Sequence, residues 1–246
     1  MTEWPRFPNA PIVEAILDIR VTFQSRVELS QLAQFYEVVR DRYPVKEELV
    51  IWHGELQVAH QEVQQAVKRG PEGFLFRAAD GRRSVQVRQD GFTFNWLKPY
   101  DRWPSLRDEA RAYWNHYLAM FRPESITRLA LRYINRLELP LPVADIREYV
   151  LTGPEIAPQL PQTLRTFFMR LELLNLADSA IAIVSETVQP VTENGRLPFI
   201  FDIDAIREAT FEPNSTEIWE VFEQLREYKN EIFFKSMTEK AKELFR

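Results

Sequence analysis

The chain opens on an alternating pattern. Between Pro11 and Phe23, Ile19, Val21 and Phe23 fall on one side and Asp18, Arg20 and Thr22 on the other, the two-residue period of a strand with one buried face. From Glu28 to Tyr43 the period becomes helical: Leu29, Leu32, Phe35, Tyr36 and Val39 share a face, with Ser30 near the start and Pro44 as a stop. Short runs over Leu49 to His60, Gly73 to Ala78, Arg83 to Arg88 and Gly91 to Lys98 follow. They are separated by turn pairs such as Asp80-Gly81 and Asp90-Gly91 and predict an antiparallel meander. Pro104 then opens a helix through Leu106, Ala110, Tyr113, Trp114, Tyr117 and Phe121, closed by Pro123.

The pattern restarts at Ser125. A long strand to Leu139 is followed by a short helix from Pro142 to Val150 and a Pro-containing loop to Pro161. Strands at Thr163 to Asn175, Ala180 to Gln189 and Leu197 to Ile203 lead into an amphipathic region from Ser215 to Phe245, bent near Asn230. The reading is an α+β protein in two halves packed as one compact unit, 1–124 as β-α-β4-α and 125–246 as β-α-β3-α. Antiparallel sheets, or one continuous sheet, are backed by long helices. The repeated order is either a duplication or a coincidence of hairpins and helices. It is similar to the TATA-binding-protein-like and helix-grip folds, a likeness that carries no function.

Composition narrows the chemistry. The 246 residues contain no cysteine, which removes disulfides, thiolate nucleophiles and thiolate zinc sites and fits a reducing compartment, so the expected location is cytoplasmic. No stretch approaches the roughly 20 apolar residues of a membrane helix, and Met1 to Pro5 shows no signal-peptide pattern. A net charge of -5 disfavours nucleic acid unless positive charge is gathered on one face. The 7 glycines form no phosphate-binding cluster.

One strand does gather positive charge. Arg128, Arg132 and Arg136 share a face in an extended chain, while Leu129, Leu131, Tyr133 and Leu137 point the other way. Arg20, Arg88 and Arg170 could join them on neighbouring strands. Such a row either binds phosphate, a nucleic-acid backbone or an acidic peptide through guanidinium forks, or is neutralised by Asp18, Glu138, Glu172, Asp202 and Asp204. Asp202 and Asp204, with Glu186 or Glu172, are a weaker candidate for holding Mg²⁺. His53 and His60 fall on opposite strand faces and share no metal, and no serine sits in a nucleophile elbow. Trp96, Tyr100, Trp103, Tyr113, Trp114 and Tyr117 form an aromatic cluster that reads as core, as does the stripe Trp219, Phe222, Leu225, Ile232 and Phe233.

Three phrases carry a resemblance: Phe7-Pro8-Asn9-Ala10-Pro11-Ile12-Val13-Glu14-Ala15, Arg128-Leu129-Ala130-Leu131-Arg132-Tyr133-Ile134-Asn135-Arg136, and Lys229-Asn230-Glu231-Ile232-Phe233-Phe234. On these the chain resembles a sporadically distributed bacterial family of similar length with no assigned activity. The resemblance implies a shape, and a setting among mobile or defence-related genes, but no catalytic residue. The expectation is a non-enzymatic binding or adaptor protein that recognises a protein partner through its polar sheet face or long helices, with no cofactor and no metal. The alternatives are anion or nucleic-acid binding through the arginine face and a metal-dependent hydrolase using Asp202 or Asp204.

Overall fold

A computed structural model describes residues 4–59, 62–161 and 165–246, with side chains described outside 51–70. Its centre is a single nine-stranded antiparallel sheet in the order β2-β3-β4-β5-β1-β6-β9-β8-β7. The strands are β1 (Ile12–Thr22), β2 (Val45–Ala59), β3 (Glu62–Arg77), β4 (Arg83–Arg88), β5 (Gly91–Leu97), β6 (Ser125–Pro140), β7 (Phe168–Asn175), β8 (Ala180–Val188) and β9 (Arg196–Phe211). The helices are α1 (Leu29–Ala33), α2 (Tyr36–Val39), α3 (Trp103–Phe121), α4 (Glu217–Ser236) and α5 (Glu239–Glu243). The α+β class with an antiparallel sheet is as expected, and of the two arrangements open at the sequence level the continuous sheet is the one present.

The strand order explains why the two halves read alike. β1 and β6 lie side by side in the middle; the last strand of each half, β5 and β9, pairs with the first, and the remaining strands run outward. Alternation then sets the faces. Ala15, Leu17, Ile19 and Val21 of β1, with Leu129, Leu131 and Tyr133 of β6, are buried under α3 and α4. Asp18, Arg20, Arg128 and Arg132 lie on the opposite, open face. Close strand approach needs Gly91, because a Cβ there would sit 2.2 Å from the carbonyl oxygen of Ile19.

Several boundaries differ from the sequence reading, each for a local reason. The helix expected over Glu28 to Tyr43 is two short ones, interrupted at Gln34 and Phe35, whose N–H groups bond to Gln31 and Leu32 in tighter turns. The helix expected from Pro142 shrinks to a 3-10 turn at Ile146–Glu148, opened by Asp145 accepting the N–H of Arg147. β9 runs on to Phe211 because β6 pairs with it along its whole length, past the point where its own alternation fades. The expected bend near Asn230 lies instead at Met237, which is extended and bridges to Val150, and Thr238 then caps α5. The Thr163 end of one expected strand, and His60 with the side chain of His53, lie outside the described residues. Among the described residues no helix is long and apolar enough to cross a membrane.

Candidate functional site

The arginines come first, since the register of β1, β6 and β9 decides what they meet. Arg132 stands opposite Asp204 and Ile134 opposite Asp202, so the Arg132 guanidinium reaches diagonally and grips Asp202 with both Nε (2.9 Å to Oδ1) and Nη2 (2.6 Å to Oδ2). Arg128 bridges Asp18 at 3.0 Å and Asp204 at 3.3 Å. Arg88 donates to Asp18 at 2.8 Å and to Asp90 at 3.0 Å, and also to Thr93; Arg20 joins the same two carboxylates. Arg136 lies 2.7 Å from Glu138, although its Nε makes no aligned hydrogen bond. Arg170, on edge strand β7, stands apart with Glu172 at 3.9 Å.

Arg20, Arg88 and Arg128 therefore form one network with Asp18, Asp90 and Asp204, and Arg132 with Asp202 forms a separate pair beside it. Burial alone raises the pKa of Asp18, but Arg88 and Arg20, with hydrogen bonds from Thr93 and Arg88, overcome it and hold the carboxyl below its ordinary value. The Asp202 fork, outweighing burial, lifts Arg132 above the usual arginine range. Asp204 goes the other way, raised chiefly by burial against the pull of Arg128 and Arg132. A face whose donors are already spent on carboxylates offers little to an incoming anion.

The acidic alternative is separated by the same alternation. Ser185 stands opposite Asp202 on the open face, so Glu186, the next residue, points to the helix-covered side and cannot join Asp202 and Asp204. Glu172 is on the open face of β7, with β8 between it and Asp204. No cluster of three or more histidine, cysteine or acidic side chains with metal-site spacing occurs among the described residues.

A different place brings unspent polar groups together. The segments that carry the family resemblance, far apart in sequence, converge on one cavity of about 380 Å³ between the N-terminal segment, β6, α4 and the loop after β5. Phe7 to Ile12 form one wall, Tyr133 and Asn135 a second, and Lys229, Asn230, Phe233 and Phe234 a third. The first and last walls are fastened by stacking of Trp4 on Phe234 (centroids 4.9 Å apart) and by the Asn9 N–H donating to the Phe245 carbonyl at 3.0 Å.

Lys229 is the central group. On α4 the sequence Phe222, Leu225, Lys229, Ile232 puts it in the apolar stripe, and only 8% of it is exposed. Its Nζ lies 3.7 Å from the centroid of the Tyr133 ring, and among the described residues it has no hydrogen-bond or carboxylate partner. Burial, aided by the nearby Arg226 and opposed by Glu227, brings its pKa down to about 7. Tyr133 and Tyr100 share a hydroxyl–hydroxyl bond of 2.8 Å, and burial raises the pKa of both, so both stay neutral phenols. Asn135 donates to the carbonyls of Tyr133 and Phe201, leaving its own carbonyl oxygen for the cavity; the buried amide of Asn230 has no partner among the described residues. The lining also carries Arg6, Lys98, Arg102 and Arg226, of which Arg226 is paired with Glu223 and Glu227 and Arg102 with Asp101.

None of the cavity residues was a predicted site. Lys229 and Asn230 stood in the sequence only as part of a family phrase, yet an ionisable residue at a stripe position between Leu225 and Ile232 is itself a signal of an unusual interior. The aromatic cluster is core on α3 as expected, where Trp103, Tyr113, Trp114 and Tyr117 are buried, while Tyr100 packs edge-on against both Trp96 and Tyr133. No protein-family model matches the chain, and no curated protein matches it.

Proposed function

We propose that the protein is a binding protein for a small organic anion, taken into the Lys229 cavity with its carboxylate or phosphate toward Nζ and its apolar body among Phe7, Phe233 and Phe234. The observation that carries this reading is the buried Lys229, whose amine lies at the wall of the cavity with no hydrogen-bond acceptor among the described residues. Such an amine is costly to charge in isolation, and an anion that accepts from it repays that cost. The polar atoms of Asn135, Asn230 and the tyrosine pair supply directional contacts around the same point. The arginine face, the anion site of the alternative reading, is a poorer candidate because its carboxylates already hold it.

Calorimetry with phenyl phosphate and benzoate tests the reading, with inorganic phosphate and benzyl alcohol as arms lacking the ring or the charge. At least one aromatic anion should bind, and Lys229→Met should weaken it about tenfold to a hundredfold, the worth of a charged hydrogen bond. Arg132→Gln should leave affinity unchanged. Binding that survives Lys229→Met, or follows Arg132 instead, would overturn the assignment.

A further inference from the structure

The two edges of the sheet are built differently. β2, at one end, presents Lys46, Glu47 and Glu48 and carries a register shift between Leu49 and Val50, devices that discourage pairing with another strand. β7, at the other, reads Phe168-Met169-Arg170-Leu171-Glu172-Leu173-Leu174-Asn175, without proline, lysine or a shift in its pairing to β8. Its apolar side chains on the open face are open to water: Phe168 is 71% exposed and Leu174 63%. A regular, apolar strand edge of this length calls for a partner.

We infer that the partner is a second copy of this chain, the two β7 strands pairing antiparallel about a two-fold axis at Leu171 to join the sheets edge to edge. The register follows from parity and charge. In a continuous antiparallel sheet, opposite residues share a face, so a two-fold axis between equal strands must pass through a residue and not between two. An axis at Arg170 sets arginine against arginine, and one at Glu172 sets glutamate against glutamate. An axis at Leu171 sets Arg170 of each copy against Glu172 of the other and Phe168 against Leu174, all on the open face. Leu173 then faces Met169; its carbonyl already accepts the Tyr228 hydroxyl at 3.0 Å and keeps a second lone pair for the seam.

Sedimentation equilibrium tests this with charge reversals at exposed positions, where folding is little affected. The wild-type chain should form dimers at micromolar concentration. Arg170→Glu and Glu172→Arg should each weaken self-association about tenfold or more, since each opposes like charges twice per dimer. Mixing the two variants should restore a dimer containing one of each, and so should the double reversal within one chain. Thermal melts of each variant separate loss of pairing from loss of fold. A monomeric wild type, or a dimer indifferent to both reversals, would overturn the inference.

Discussion

Arg88 and Lys229 are both cations taken almost wholly out of water, at 3% and 8% exposure, and their surroundings are opposite. Arg88 sits on the sheet's open face with Asp18, Asp90 and Thr93 within hydrogen-bond reach, and burial, opposed by Asp18 and aided by Arg20, moves its pKa down. Lys229 has an aromatic ring and a cavity. The contrast shows that density of positive charge does not locate a binding surface. What distinguishes the two places is whether each donor has been answered from within the fold, and that depends on residues far away in sequence.

The comparison breaks most readily at Arg88. Arg88→Ala would leave Asp18 partly buried with part of its compensation gone, and chemical denaturation should show a loss of about 3–5 kcal/mol. An equal loss for Lys229→Met would erase the distinction; the expected result there is unchanged or increased stability at pH 6, because an uncompensated charge is removed. A second measurement sharpens it through pH. A lysine pKa brought down to about 7 in the folded chain means that the unfolded chain binds more protons between that value and the ordinary 10.5. Stability should therefore rise with pH across this window, by up to about 1.4 kcal/mol per unit, and Lys229→Met should flatten the rise. Glu186 supplies a smaller effect of the opposite sign. Its carboxyl is buried with no hydrogen-bond partner among the described residues and burial raises its pKa to about 7, so the stability it contributes is present at pH 4.5 and lost as pH rises through 7. Glu186→Leu should then stabilise the protein at pH 8 by about 2 kcal/mol, read as a higher denaturation midpoint. The smallest effect belongs to the outlying arginine: Arg136→Gln, which breaks a half-exposed pair, should change stability by less than about 1 kcal/mol.

Much of the architecture is legible in the sequence because alternation is strict where one face is buried. β1 and β6 declare themselves through Leu17, Ile19, Leu129 and Leu131, and α3 and α4 through their apolar stripes. What escapes is set by neighbours. β9 is held to Phe211 by β6, and the Met237 break by Val150, contacts that no local pattern contains. The candidate site divides the same way. The shared face of Arg128, Arg132 and Arg136 follows from spacing, but their neutralisation depends on the order of β1, β6 and β9, which spacing does not fix. Lys229 was hidden for the converse reason: its solitude is a property of the three walls around it.

Those walls also place the cavity in time. Residues 7–12 leave the ribosome early, Tyr133 and Asn135 midway, and Lys229 to Phe234 late, so the pocket has no floor until α4 is made and packed. The cavity is thus a property of the complete chain and of no shorter stretch of it.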